Sequence, residues 1–268
     1  MHFEISGRTD PDAETIVLSS GLGGTSAFWQ PQIAALTPHF RVMTYDQRGT
    51  GRNAGPLPEP YTIGHMADDV IAMLDSQRVT RCAFMGHALG GLVGLAIALK
   101  RPALLSGLVL VNAWARADSH TGRCFAVRTK LLKNSGVEAY VQAQPIFLYP
   151  ADWLSANAEH VALEEKAGIA HFQGAETILK RIGALLAFDI ADRLAEIRVP
   201  TLVAASRDDV LVPWTASEKL AGGLPQTELW LVADGGHGFT VTRPDTFNEK
   251  VLSFLGHPAT AAVGHRPS

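Results

Sequence analysis

The sequence predicts an α/β protein: a mostly parallel central sheet flanked by helices, with an all-helical segment inserted into its middle. Three observations predict it. Short apolar runs alternate with segments of helical periodicity as far as Asn112, the pattern of crossovers on a parallel sheet. The strand signal then disappears across residues 113–197, where only helical periodicity remains. It returns at Pro200, and the alternation runs on to Leu255.

Each element follows from local pattern. Residues 15–20, Thr-Ile-Val-Leu-Ser-Ser, read as a short buried strand, the glycine-rich 21–24 as a tight turn, and 29–36 as a helix. The unit repeats with strands at 41–45, 82–85 and 108–112 and helices at 63–77 and 89–99. Inside the insert, 123–133, 137–142, 158–169 and 177–186 carry helical periodicity. After it come a strand at 200–205, a helix near 215–221, a strand at 228–232 and a last helix at 245–255. The expected organisation is a core of 1–112 and 198–256, a helical cap of 113–197, and a tail of 257–268, rich in Pro, Ala and Gly, that frays.

With 268 residues the chain is long enough to bury a sizeable core, and 47% apolar against 18% charged residues excludes both a disordered and a membrane protein. Its 23 Lys and Arg against 26 Asp and Glu leave no electrostatic footprint for nucleic acid or an anionic membrane surface. The expected partner is a small molecule. A homodimer is kept as a candidate assembly, because the sequence does not disclose the oligomeric state. Two cysteines, Cys82 and Cys124, make neither a disulfide framework nor a zinc site, which fits a reducing cytoplasm. The charged start is unlike a secretory signal, and the longest apolar run, 88–99, falls short of the roughly 20 residues of a membrane span.

Gly21-x-Gly23, with Asp46 ending the next strand, superficially matches a dinucleotide fingerprint, but Ser26 stands where a third glycine belongs. The same turn suits an oxyanion loop in which the N–H of Leu22 points into a cleft. A plain tight turn needing a positive φ fits under either reading. Asp46-Gln47-Arg48-Gly49-Thr50-Gly51 follows a strand, where a charged pair more often braces a loop than does chemistry.

The most informative segment is Gly86-His87-Ala88-Leu89-Gly90-Gly91, between a strand and a helix. That is the position of the G-x-S-x-G elbow, where small residues permit a strained turn that lifts a nucleophile above the sheet. Here the nucleophile position holds Ala88. Downstream, Ser206-Arg207-Asp208-Asp209 follows one strand and Gly235-Gly236-His237-Gly238 follows the next, the chain order of acid and base in a triad. His87, beside the elbow, reads as a packing and hydrogen-bonding residue.

Together these segments, across the whole chain apart from its tail, resemble the α/β-hydrolase superfamily with a helical cap. Each motif alone is weak, and their combination is specific. In that family's pattern the acid stands four residues before a proline, and Pro213 selects Asp209 over Asp208. Within the superfamily, 45–51, 86–90, 144–153 and 171–174 are similar to the carbamate and aminoacrylate hydrolases of pyrimidine degradation, a group that carries Ala at the elbow. The resemblance implies the α/β-hydrolase fold, with His237 and Asp209 as the catalytic pair and Ala88 as a non-nucleophilic elbow residue. The backbone N–H groups of Leu22 and Leu89 are expected to form the oxyanion hole. Trp114, Tyr149, Trp153 and His171, with Phe172, are expected either to line the substrate pocket or to form the insert's own core.

Without a hydroxyl or thiol at position 88, no acyl-enzyme forms there, and water must be the nucleophile. The expected activity is hydrolysis of a small, labile C–N compound, with water activated by the His237–Asp209 pair. Two alternatives stay open: an ester or lactone hydrolase whose serine is replaced by Ala88, and a non-catalytic small-molecule-binding homologue. No cofactor or metal is expected, since no His, Cys or carboxylate cluster has ligand spacing and the glycine loop lacks a phosphate-binding lysine.

Overall fold

The strands that build the centre of the molecule are apolar along their whole length rather than on alternate residues. Strands β2 (Thr15–Ser19), β4 (Cys82–His87) and β6 (Thr201–Ser206) are buried at every position, as sheet strands covered by helices on both faces must be. With β1 (Phe3–Gly7), β3 (Arg41–Tyr45), β5 (Leu105–Val111) and β7 (Thr227–Val232) they form one seven-stranded sheet in the order β1-β3-β2-β4-β5-β6-β7. All neighbours are parallel except β1, which runs antiparallel to β3. The computed structural model describes residues 1–257, so the tail expected to fray lies, beyond His257, outside the described residues.

Alternate side chains of these strands enter two separate cores. Ile16, Leu18, Met85 and Val109 pack with Trp29, Phe247 and Val251, from the segment preceding α1 (Gln30–Leu36) and from the last helix (Pro244–Phe254). Val17, Phe84, Leu108 and Val203 pack on the other face with α2 (Ile63–Ser76), α3 (Leu89–Lys100) and α8 (Trp214–Gly223). Helix α3 is buried from Leu89 to Ala98, which is why it shows no polar stripe.

Between β5 and β6 lie only helices: α4 (Ser119–Leu148), α5 (Ala151–Ala156), α6 (Ala158–Ala170), α7 (Ala175–Ala187) and a short 3₁₀ turn at Ala191–Glu196. The two helices expected at 123–133 and 137–142 both lie within α4, on either side of a break at Gly136, whose φ of 87° and ψ of −173° are open to glycine alone. The insert is closed at its base, where Ile190 N–H donates to the Ala115 carbonyl at 3.0 Å and Arg116 Nε to Asp189 at 2.6 Å. The sequence pattern does not announce β1, an edge strand exposed at four of its five positions.

Strand order reverses between β2 and β4: the chain steps outward from β2 to β3, crosses back to β4, then proceeds to β7. In open α/β sheets the crevice beyond the carboxyl ends of the strands at such a switch is where ligands bind. The turns after β2 and β4 diverge at that point.

Candidate active site

Four turns at the carboxyl ends of strands supply the site. Leu22 follows β2, Ala88 follows β4, Asp209 follows β6 and His237 follows β7. At the elbow, Ala88 takes φ 46° and ψ −113°, a conformation that costs a non-glycine residue about 1–3 kcal/mol and is held only by its surroundings. Those surroundings explain the small residues on either side. A Cβ on Gly90 would stand 2.1 Å from the Ser19 carbonyl oxygen, and one on Gly86 would stand 2.3 Å from that of Gly90. Both obstacles are backbone and cannot swing away. Gly90→Ala should therefore destabilise the fold by roughly 3 kcal/mol, lowering Tm by about 6–12 °C for a chain of this size, as a thermal melt would show.

His237 Nδ1 donates to Asp209 Oδ2 at 2.7 Å, and both side chains are buried. Asp209 Oδ1 accepts the N–H groups of Leu211 and Val212 at 2.8 and 2.9 Å, so the carboxylate is fixed on both sides. This leaves Nε2 as the imidazole nitrogen not held by the acid. Asp208 serves the neighbouring loop instead. It accepts from the Ser206 hydroxyl and from the N–H groups of Gly235 and Gly236, which ties down the segment that carries His237. Gly236, at φ 72°, lies flush against the insert, where a Cβ would meet the Leu148 carbonyl at 2.7 Å.

His87 joins elbow and base. Its Nε2–H donates to the His237 carbonyl at 2.9 Å, its ring lies 4.7 Å from the His237 ring, and Asn112 Nδ2 donates to the same carbonyl at 2.6 Å. Burial, reinforced by His237, pushes the His87 imidazole down to about 3, so it stays a neutral donor. The residue preceding Ala88 thus touches the residue proposed as base.

The glycine-rich loop after β2, expected to supply an oxyanion-hole N–H, is set by its carbonyls. Gln47 Nε2 holds the carbonyl of Ser20 at 2.7 Å, and Gln47 N–H and the Thr50 hydroxyl hold that of Gly24 at 2.8 and 3.0 Å. Arg181 Nη2 reaches the carbonyls of Gly21 and Leu22 at 3.4 and 3.2 Å, while Gln173 Nε2 reaches those of Leu22 and Gly23, both at 3.2 Å. With the carbonyls taken on one side, the N–H of Leu22 is free for the other. Among the described residues neither it nor the N–H of Leu89, at the first turn of α3, donates to a protein acceptor. Asp46 braces the next turn, accepting from Ser26 and Arg52; burial opposes its ionisation, yet these bonds outweigh burial and hold the carboxyl at about 2.

Arg181 and Gln173 belong to the insert; Gln173 falls in the 171–174 stretch that carries the family resemblance, while nothing in the sequence pattern singles out Arg181. Arg181 is fully buried, also donates to Gln47 Oε1, and burial pushes its guanidinium down to about 10 against the opposing pull of nearby tyrosines. Arg181→Met should loosen the Leu22 carbonyl and leave Gln47 short of a donor. The expected result is a loss of about ten-fold in kcat, equivalent to roughly 1.4 kcal/mol, with KM little changed.

The expected pocket residues fall in different places. Trp114 is buried beyond the end of β5, and Tyr149 is buried against Gly238, with its hydroxyl donating to Glu164 at 3.2 Å. Trp153 is half-buried and packs against Tyr149 with 4.6 Å between ring centroids and the ring planes tilted by 39°. His171 caps α6, is exposed, and its side chain makes no hydrogen bond among the described residues. The contact with the glycine-rich loop comes two residues later, from Gln173. A groove of about 690 Å³ between Glu59–Gly64 and α7 shares none of the elbow, acid or base residues. Among the described residues no three His, Cys, Asp or Glu side chains gather as a metal-ligand set, and no helix is long and apolar enough to cross a membrane.

The family defined by the alpha/beta hydrolase fold matches residues 14–244. Curated relatives include proteins named "Putative carbamate hydrolase RutD" from Rhizobium rhizogenes, 58% identical over 95% of this chain and 97% of the relative, and from Agrobacterium fabrum, 56% identical over 95% and 98%. Among solved structures, the enol-lactonase from Burkholderia xenovorans LB400 superposes with a TM-score of 0.87 at 29% identity, covering 96% of both chains. The reversed strand order, the strained turn after β4 and this end-to-end similarity have one explanation: the chain belongs to the α/β-hydrolase family.

Proposed function

We propose that the chain accelerates hydrolysis of a small, labile C–N compound, a carbamate or an aminoacrylate, with water as the nucleophile. The observation that carries the reading is a buried His237–Asp209 pair at 2.7 Å beside an elbow whose residue, Ala88, has nothing to attack with. A base without a side-chain nucleophile can act on water. The names of the curated relatives favour a carbamate as the compound attacked.

For a carbamate the step balances without any cofactor. His237 Nε2 takes a proton from water, and the water oxygen bonds to the carbamate carbon. The N–H groups of Leu22 and Leu89 hold the negative charge that develops on oxygen. His237 then returns the proton to nitrogen, the C–N bond breaks, and ammonia and bicarbonate leave. General base catalysis of this kind supplies about 10² to 10⁴-fold, which suffices for a substrate that already decays unaided. The reading places the reaction in cytoplasmic pyrimidine catabolism, as a step that releases nitrogen.

The similarity to an enol-lactonase favours a second reading, hydrolysis of an ester or lactone. That route has no nucleophile at Ala88, which makes it the weaker of the two. The test follows ammonia release from freshly generated carbamate, and malonic semialdehyde formation from aminoacrylate, with and without the protein. Faster product formation from one of them supports the reading, while unchanged rates for both, with turnover of a lactone, would replace it.

A further inference from the structure

A second buried guanidinium has no part in the chemistry described so far. Arg128, on α4, is 5% exposed, forms no salt bridge among the described residues, and bonds only to neutral groups through Nη2: the Tyr140 hydroxyl at 3.4 Å and the Gln144 side-chain oxygen. Its Nε is buried with no acceptor, and Nη1 has no protein partner either. Three rings enclose it, with the guanidinium carbon 4.9 Å from the centroid of Phe125 and 5.7 Å from those of Tyr140 and Phe147. Aromatic faces offset part of the cost of burying a cation. They do not replace a counter-charge, and an uncompensated buried ion costs several kcal/mol.

Its position ties it to the site. One helical turn before Arg128, Cys124 Sγ lies 3.5 Å from the carbonyl of Val210, the residue after Asp209. Phe147 precedes Leu148, whose carbonyl accepts the N–H of Gly238, the residue after His237, at 2.8 Å. The helix that carries the cation thus touches the loop of the proposed acid through Cys124, and the residue after Phe147 touches the loop of the proposed base. We propose that Arg128 is the anion-recognition residue of this site, donating through its unpaired N–H groups to the carboxylate or carbamate oxygens of a small anionic substrate. The inference rests on the proposed hydrolytic reading for its location, and it names the substrate class: compact, planar monoanions rather than neutral amides or esters. A planar guanidinium inside an aromatic cage suits that geometry.

The experiment measures binding without turnover, so it remains readable even where no acceleration of carbamate or aminoacrylate breakdown is found. Acrylate and its neutral isostere acrylamide are titrated into the full-length protein, followed by the Arg128 side-chain Nε resonance in NMR, identified from its absence in Arg128→Lys. Acrylate is expected to bind saturably, at least ten-fold tighter than acrylamide, and to shift that resonance. Arg128→Gln should lose the preference, while Arg128→Lys should keep part of it. If wild type binds both compounds alike, or neither, or leaves the Arg128 resonance unmoved, Arg128 is only the cation of an aromatic cluster and the proposal is overturned. Should the Gln variant fail to fold, the wild-type comparison and the Lys variant decide alone.

Discussion

Ala88→Ser is expected to convert a protein inert to fluorophosphonates into one that is labelled to completion at residue 88. The elbow already holds the Cβ of residue 88 in the strained turn, at φ 46°, with His87 linking it to His237 and the Leu22 and Leu89 N–H groups unspent. A single oxygen added there gains a base within the same site and an oxyanion hole for the adduct. Labelling should be more robust than ester turnover, because fast turnover needs the new rotamer held to within about 0.5 Å. Intact-protein mass spectrometry after treatment of both forms reads the outcome. Labelling of the unmodified protein at another residue would show that the nucleophile lies elsewhere, and an unlabelled, well-folded Ser variant would contradict the elbow assignment.

Asp209→Asn should remove nearly all of the acceleration over the spontaneous reaction, about 10² to 10⁴-fold, and Asp208→Asn should not. Both carboxylates are held by backbone N–H groups, but only Asp209 meets the His237 ring. An amide at 209 permits the ring to hold its proton on the wrong nitrogen, so that Nε2 no longer accepts from water. Loss of the Asp208 charge instead slackens the loop at Gly235 and Gly236, which should appear as a lower Tm with partial activity. Equal rates for the two variants, measured at matched folded concentration, would break this division of labour.

How much of the structure is legible in the sequence follows from where each signal resides. The central strands are readable because burial on both faces demands unbroken apolar runs, as in Ile16–Leu18 and Leu202–Ala205. Strand β1 is not, since an exposed edge imposes no such demand on Glu4 or Ser6. The break at Gly136 is legible, since the helical pattern stops at 133 and restarts at 137. At the site, the elbow glycines and the Asp209 spacing are local signals that survive in one dimension. Arg181 and Arg128 carry none, and Gln173 is visible only as part of the 171–174 stretch, because what they hold or lack exists only after folding. Gln173 reaches a carbonyl 151 positions away, and Arg181 reaches one 159 positions away.

The central claim is that His237 activates water at a site with no side-chain nucleophile. The most direct measurement is stopped-flow ammonia release from freshly generated carbamate in buffer, with wild type, and with His237→Ala, the variant first shown by its melt to be folded. The account predicts wild-type release above the spontaneous rate by about two orders of magnitude or more, and a His237→Ala trace that coincides with buffer alone. A His237→Ala trace that coincides with wild type would contradict it.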